Sequence, residues 1–253
     1  MTTGPEPYLS EHYDARWEHS EGVSGEARVP ATIALVPREA ASVLDLGCGD
    51  GTMLSLLPGG LRKTGCDPSF SALKKVAGAA RVQAAADGLP FADRSFDLVM
   101  LSEVLEHIPE EEYRQSLAEI MRVADRFILI SVPFREDLNR KMARCPGCGM
   151  VFHLDLHRRS YGPDELSGLF PEFYERACRF SGPREKNAHP LVWKIRRGVG
   201  GRYEWQPGTV CPGCGARLQG PPRRSLVSVA TSVAAQWTGQ AHAKWVSVLF
   251  ERL

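Results

Sequence analysis

From residue 42 the chain alternates short apolar runs with amphipathic stretches. Val43, Leu44 and Leu46 predict a buried strand, and the glycines that follow predict a tight turn into a helix over 52–57. Pro58-Gly59-Gly60 stops that helix. A second strand is predicted over 61–66, a helix capped by Ser69 running to about Gly78, and a weak third strand over 81–85. The run FDLVML at 96–101 predicts a strong fourth strand. Pro109 and three glutamates open a helix over 109–123, where the helix dipole favours acids. RFILISV at 126–132 is apolar nearly throughout, as in a strand buried on both faces. Strands alternating with helices predict an α/β fold with a parallel, doubly wound sheet.

The pattern breaks at Pro133. No clean periodicity runs through 134–158; a helix resumes over 161–170 and a strand over 173–180. Residues 182–220 read as irregular, 225–237 as a helix, and WVSVLFERL at 245–253 as a last strand. Before the first strand, 26–36 predicts a short helix around Pro30.

Composition narrows the reading. The chain has 253 residues, 43% hydrophobic and 24% charged, with a formal net charge of +1. That balance fills a core and gives no bulk attraction to nucleic acid or membranes. No apolar run reaches the ~18 residues of a membrane helix. The first 20 residues are polar and acidic rather than a leader. The expectation is a cytoplasmic protein whose seven cysteines stay reduced.

Two features then carry chemistry. The first is the turn Asp45-Leu-Gly47-Cys-Gly49-Asp-Gly51, followed by Asp67 at the end of the next strand. Glycines there let the backbone approach a nucleotide cofactor, and an acid at the second strand end takes ribose hydroxyls. Asp45 and Asp50 would repel a pyrophosphate but suit S-adenosylmethionine (SAM), which carries a sulfonium and an ammonium. The second feature is CPGCG, present at 145–149 and again at 211–215. Paired C-x2-C in a reduced chain predicts a closed four-thiolate zinc site of Cys145, Cys148, Cys211 and Cys214, structural rather than catalytic. His153 and His157, spaced His-x3-His, offer an alternative with the first knuckle, but the second cysteine pair would then lack a partner.

VLDLGCGDG, TGCDPS and LPFADRSFDLVMLSEVLEHIP resemble, in order and spacing, the successive motifs of class I SAM-dependent methyltransferases over about residues 41–132. The resemblance implies a Rossmann-like seven-stranded sheet whose last strand is antiparallel. It implies that Gly47, Gly49 and Gly51 pass beneath the methionine moiety, that Asp45 holds its amino group and that Asp67 binds the ribose. Ser102 and Glu103 would line the methyl end, with Glu106 and His107 behind. Where the family places an acid against adenine this chain has Ala85, and Asp87 is the substitute. His107 and His157 are the candidates for a base acting on the acceptor, with structural packing or hydrogen bonding as the alternative for each. Tyr13 and Trp17 are candidates for a lid over the cofactor.

The expected organisation is an N-terminal helical lid over 1–40, a SAM-binding core over 41–134, 159–181 and 243–253, and a zinc-binding cap from insertions at 135–158 and 182–242. The expected activity is methyl transfer to an oxygen or nitrogen of a small molecule, a sugar or secondary metabolite, with the cap shaping the acceptor pocket. An RNA methyltransferase gripping its substrate through the zinc module, or a non-catalytic binding scaffold, are the alternatives.

Overall fold

The computed structural model describes residues 27–198, 203–206, 209–218, 220 and 241–253. Tyr13, Trp17 and the helix expected over 225–237 lie outside them. The described elements, in order, are α1 (Arg28–Ile33), β1 (Ser42–Leu46), α2 (Thr52–Leu56), β2 (Arg62–Asp67), α3 (Phe70–Leu73), β3 (Ala80–Gln83), β4 (Phe96–Ser102), α4 (Glu110–Val123) and β5 (Ala124–Pro133). There follow β6 (Met142–Arg144), β7 (Val151–His153), α5 (Pro163–Ser167), β8 (Phe173–Lys186), α6 (Pro190–Gly198) and β9 (Ala241–Arg252).

The described residues divide into two compact units. The first holds 27–134, 161–183 and 243–253 and is built on a seven-stranded sheet in the order β3-β2-β1-β4-β5-β9-β8. β1 to β5 are parallel, and β9 joins β5 antiparallel with Pro133 opposite Trp245. The fold is thus the mixed, Rossmann-like sheet with a reversed last strand. β1, β4 and β5 are central strands, and their apolar runs sort by alternation onto two faces. Leu44, Leu46, Val99, Leu101, Ile128 and Ile130 pack on one face, and Val43, Leu98, Met100, Phe127 and Leu129 on the other.

Three expectations are corrected. α3 stops at Leu73, not near Gly78, because its last turn tightens into i→i+3 bonds: Lys75 N donates to Ala72 O at 2.9 Å and Val76 N to Leu73 O at 3.2 Å. The helix expected over 161–170 contracts to Pro163–Ser167. The stretch 182–220 is not irregular throughout. β8 runs on through Gly182 and Pro183 to Lys186, which an edge strand tolerates, and the Trp245 ring lies against Gly182 where a Cβ would come within 2.4 Å of it. α6 then follows, holding Trp193 in the interior by an indole N–H bond to Asp137 Oδ2 at 2.5 Å.

The second unit holds the described residues of 135–160 and 184–242. β6 and β7 form a hairpin in the register Met142↔His153, with the first CPGCG at its turn. A bridge between Val210 and Arg217 flanks the second CPGCG. Ala143, Phe152, Leu218, Cys145 and Cys211 form its small core. Among the described residues no helix is long and apolar enough to cross a membrane.

Candidate cofactor site and cysteine cluster

The ends of β1, β2 and β4 bring the sequence-predicted residues of the first unit together. Asp45 sits opposite Gly65 of β2 and Met100 of β4, and the glycine turn starts two residues later. Gly47, Gly49 and Gly51 all take positive φ, at 74°, 54° and 79°. A Cβ on Gly47 would lie 2.4 Å from Val104 Cγ2, so both conformation and space demand glycine there. Gly49 N donates to Asp67 Oδ2 at 2.8 Å, which ties the turn to the end of β2. Asp50 is used locally: its Oδ1 accepts from Thr52 N at 3.0 Å and Thr52 Oγ1 at 2.6 Å, starting α2.

Asp45 is 2% exposed, and its Oδ2 is buried with no hydrogen-bond partner among the described residues. Burial, then the charge of Asp67, pushes its carboxyl up from the ordinary 3.8 to about 8, while Arg28 pulls the other way. A buried carboxyl with an orphan oxygen suits a cationic ligand. Ser102 ends β4, and Glu103 follows it with a left-handed φ of 59°. Its backbone N–H bonds Ser131 O at 2.9 Å. Glu106 is fully buried, and His107 half-buried, in the same segment. Asp87 lies half-buried in the turn after β3, where Gly88 N donates to Ala85 O.

Sequence reasoning missed Arg28. This α1 residue is 3% exposed; its guanidinium bonds Ser102 Oγ and lies 3.9 Å from Glu103 Oε1. Its Nε, the atom nearest that carboxylate, is buried with no hydrogen-bond partner among the described residues. The helix that carries it is anchored by Thr32 Oγ1, 2.8 Å from Ser247 Oγ, which in turn donates to Ser131 Oγ at 3.1 Å. No motif in the chain signals this, because α1 stands apart in sequence from the glycine turn.

In the second unit the four cysteines converge. Cys145 Sγ lies 3.6 Å from Cys214 Sγ, and Cys148 Sγ 3.6 Å from Cys211 Sγ. Thiolates around a tetrahedral zinc with ~2.3 Å arms stand about 3.8 Å apart, so the spacing fits. The two knuckles repeat one design. Cys145 N bonds Met150 O and Gly149 N bonds Cys145 O; Cys211 N bonds Ala216 O and Gly215 N bonds Cys211 O, all at 2.8–3.0 Å. Gly149 and Gly215 take φ of 77° and 72°. Backbone N–H groups, that of Cys148 first, lower the Cys145 thiol to about 6. His157 also lies in this unit, its Nδ1 on Glu136 Oε2, its ring stacked on His153. Burial, with the nearby His157, lowers His153 to about 4, leaving a neutral imidazole. The structure thus places His107 and His157 in different units.

Residues 44–126 match the model of the methyltransferase domain family. The matched stretch, 83 of the 253 residues, holds the glycine turn and β2 to β4, so this part of the chain is similar to a methyltransferase domain. Among solved structures the chain is similar to a SAM-dependent methyltransferase from Methanosarcina mazei (16% identity, 87% of this chain and 96% of that one, TM-score 0.51). It is also similar to a SAM-dependent methyltransferase from Thermotoga maritima (14% identity, 97% and 93%, TM-score 0.51). A third is a protein whose structure concerns conversion of a disulfide bond into a thioacetal group in echinomycin biosynthesis (18%, 96% and 92%, TM-score 0.53). At these identities the likeness is one of fold. No curated protein matches the sequence.

Proposed function

We propose that the first unit binds SAM at the ends of β1, β2 and β4 and that the chain methylates an oxygen or nitrogen of a small molecule. The observation that carries the cofactor reading is Asp45, a buried carboxyl with an orphan oxygen beside a turn that only glycine fits. In this reading Asp45 receives the cofactor's ammonium and Arg28 its carboxylate. Asp67 holds the ribose while keeping the turn in place through Gly49 N. When bound, the cofactor supplies a methyl group on a positively charged sulfur, open to in-line attack. The chain's part is to align and to exclude water, the two effects that dominate such a transfer. His107 is the proposed proton acceptor of this unit; His107→Gln is expected to lower kcat while leaving SAM affinity unchanged.

A small-molecule acceptor is supported by the net charge of +1, which offers a polyanion little. The fold relative from echinomycin biosynthesis points the same way. The four cysteines are proposed to hold one structural zinc. The sequence insertions follow β5 and separate β8 from β9, and open α/β sheets bind ligands beyond the carboxyl ends of their strands. On that ground the zinc unit is proposed to select the acceptor. Two measurements test this function. Elemental analysis is expected to show a zinc that Cys211→Ser removes; unchanged content in that variant contradicts the cysteine site. Tight RNA binding that weakens steeply with salt would replace the small-molecule acceptor with RNA.

A further inference from the structure

The His-x3-His pair of the second unit has not been used by either site above. His153 closes β7, and His157 follows after a three-residue turn. Their rings lie nearly parallel, 5.0 Å apart at 20°. Glu136 joins them from the start of the unit: its Oε2 contacts His157 Nδ1, and its Oε1 lies 3.9 Å from His153 Nε2. One donor atom from each of the three falls within 4.8 Å of the others. The residues before Glu136 and His157, Arg135 and Leu156, both hold left-handed backbone, with φ of 51° and 58°. Neither is a residue that favours that region, so the chain holds this grouping against local preference.

The decisive atom is His153 Nε2. The His153 side chain is 4% exposed, and Nε2 is buried with no hydrogen-bond partner among the described residues. Buried polar nitrogens are nearly always satisfied. This one points toward a carboxylate that it does not reach, across a gap wide enough for an ion.

We propose that Glu136, His153 and His157 form a second metal site, which takes a divalent transition ion through two imidazole nitrogens and one carboxylate oxygen. That donor set suits zinc, cobalt or nickel; calcium and magnesium prefer oxygen alone. Three protein ligands leave a coordination position open, unlike the closed four-cysteine set. Lys141 is the competing cation, with Nζ 4.0 Å from Glu136 Oε1, but Asp155 holds it in an ion pair to one side. Ligation through Nε2 moves the His153 ring proton to Nδ1. The 3.2 Å hydrogen bond that Nδ1 accepts from His157 N is then given up. One long hydrogen bond is exchanged for a metal–nitrogen bond. The inference rests neither on the methyltransferase reading nor on the cysteine site.

The test is a Co2+ titration of the full chain after removal of metal by a chelator. Two equivalents are expected to bind. One shows the intense thiolate-to-cobalt charge-transfer band and is lost in Cys211→Ser. The other adds only weak d–d absorption and is lost in His153→Gln and in Glu136→Gln, both of which keep the thiolate band and so report a folded unit. A wild-type chain that binds cobalt only with the thiolate band, and no equivalent without it, overturns the proposal, whether or not any variant folds. So does a second equivalent that persists in both variants.

Discussion

Asp45 concentrates the account at the scale of one residue. Its folded pKa of about 8 stands above the unfolded 3.8, so in the cofactor-free protein the folded state holds the extra proton between those values. Stability therefore falls as pH rises from about 4 to 8. Asp45→Asn is expected to flatten that dependence and to raise the thermal midpoint of the cofactor-free protein at pH 8. The same change removes the anion that meets the ammonium, so SAM affinity is expected to drop by about 10- to 100-fold. A variant that is both less stable at pH 8 and equally good at binding SAM contradicts the assignment. Gly47→Ala is expected to cost about 2–4 kcal/mol, from left-handed φ plus the clash with Val104. Adding Val104→Ala relieves only the clash, so a chemical denaturation series on the two variants separates the terms. These residues were legible in the sequence because each is a glycine or an acid at a fixed offset from a strand end. Arg28 was not: a lone arginine on a six-residue helix carries no pattern until the fold brings it to Ser102.

At the scale of elements, α1 links the cofactor site to the sheet. Thr32, Ser247 and Ser131 are all fully buried, and their hydroxyls join α1 to β9 and β5. Thr32→Val removes one of these hydroxyls without opening a cavity. The expected loss is about 1–2 kcal/mol, with a weaker SAM affinity because Arg28 sits one turn earlier. Unchanged affinity in a destabilised Thr32→Val would separate α1 from cofactor binding. Central strands were legible because burial on both faces leaves continuous apolar runs such as RFILISV. The ends of elements were less so. α3 was capped where Ser69 indicated, with Ser69 Oγ accepting from Ala72 N at 3.1 Å, yet its far end was set by tightened bonding that leaves no composition signal. β8 was cut short because Gly182-Pro183 reads as a break, whereas on the edge of this sheet the glycine makes room for Trp245. α6 hid because it is nine residues long and lies within a stretch rich in glycine, proline and arginine that reads as irregular.

At the scale of the whole molecule the chain is two units with different sources of stability. The sheet unit has two large apolar layers, one on each face. The core of the second unit is a few side chains around the cysteines, and small cores of this kind depend on a metal or a staple. Treatment with a strong chelator is expected to abolish hydrogen-exchange protection in the β6–β7 hairpin while β1, β4 and β5 stay protected. Uniform protection in both units after chelation contradicts a folding role for the zinc. The repeated CPGCG signalled this unit because its spacing is a metal signature in its own right. The identity of the acceptor was not legible, since acceptor recognition depends on shape rather than on any residue spacing.

The central claim is that the ends of β1, β2 and β4 form a SAM site, and calorimetric titration of the purified chain with SAM tests it most directly. The expected result is one cofactor per chain, with binding weakened by Asp45→Asn and abolished by Asp67→Ala in variants whose hydrogen exchange shows an intact sheet. Absence of heat and of competition at millimolar SAM, or binding untouched by both substitutions, would contradict it.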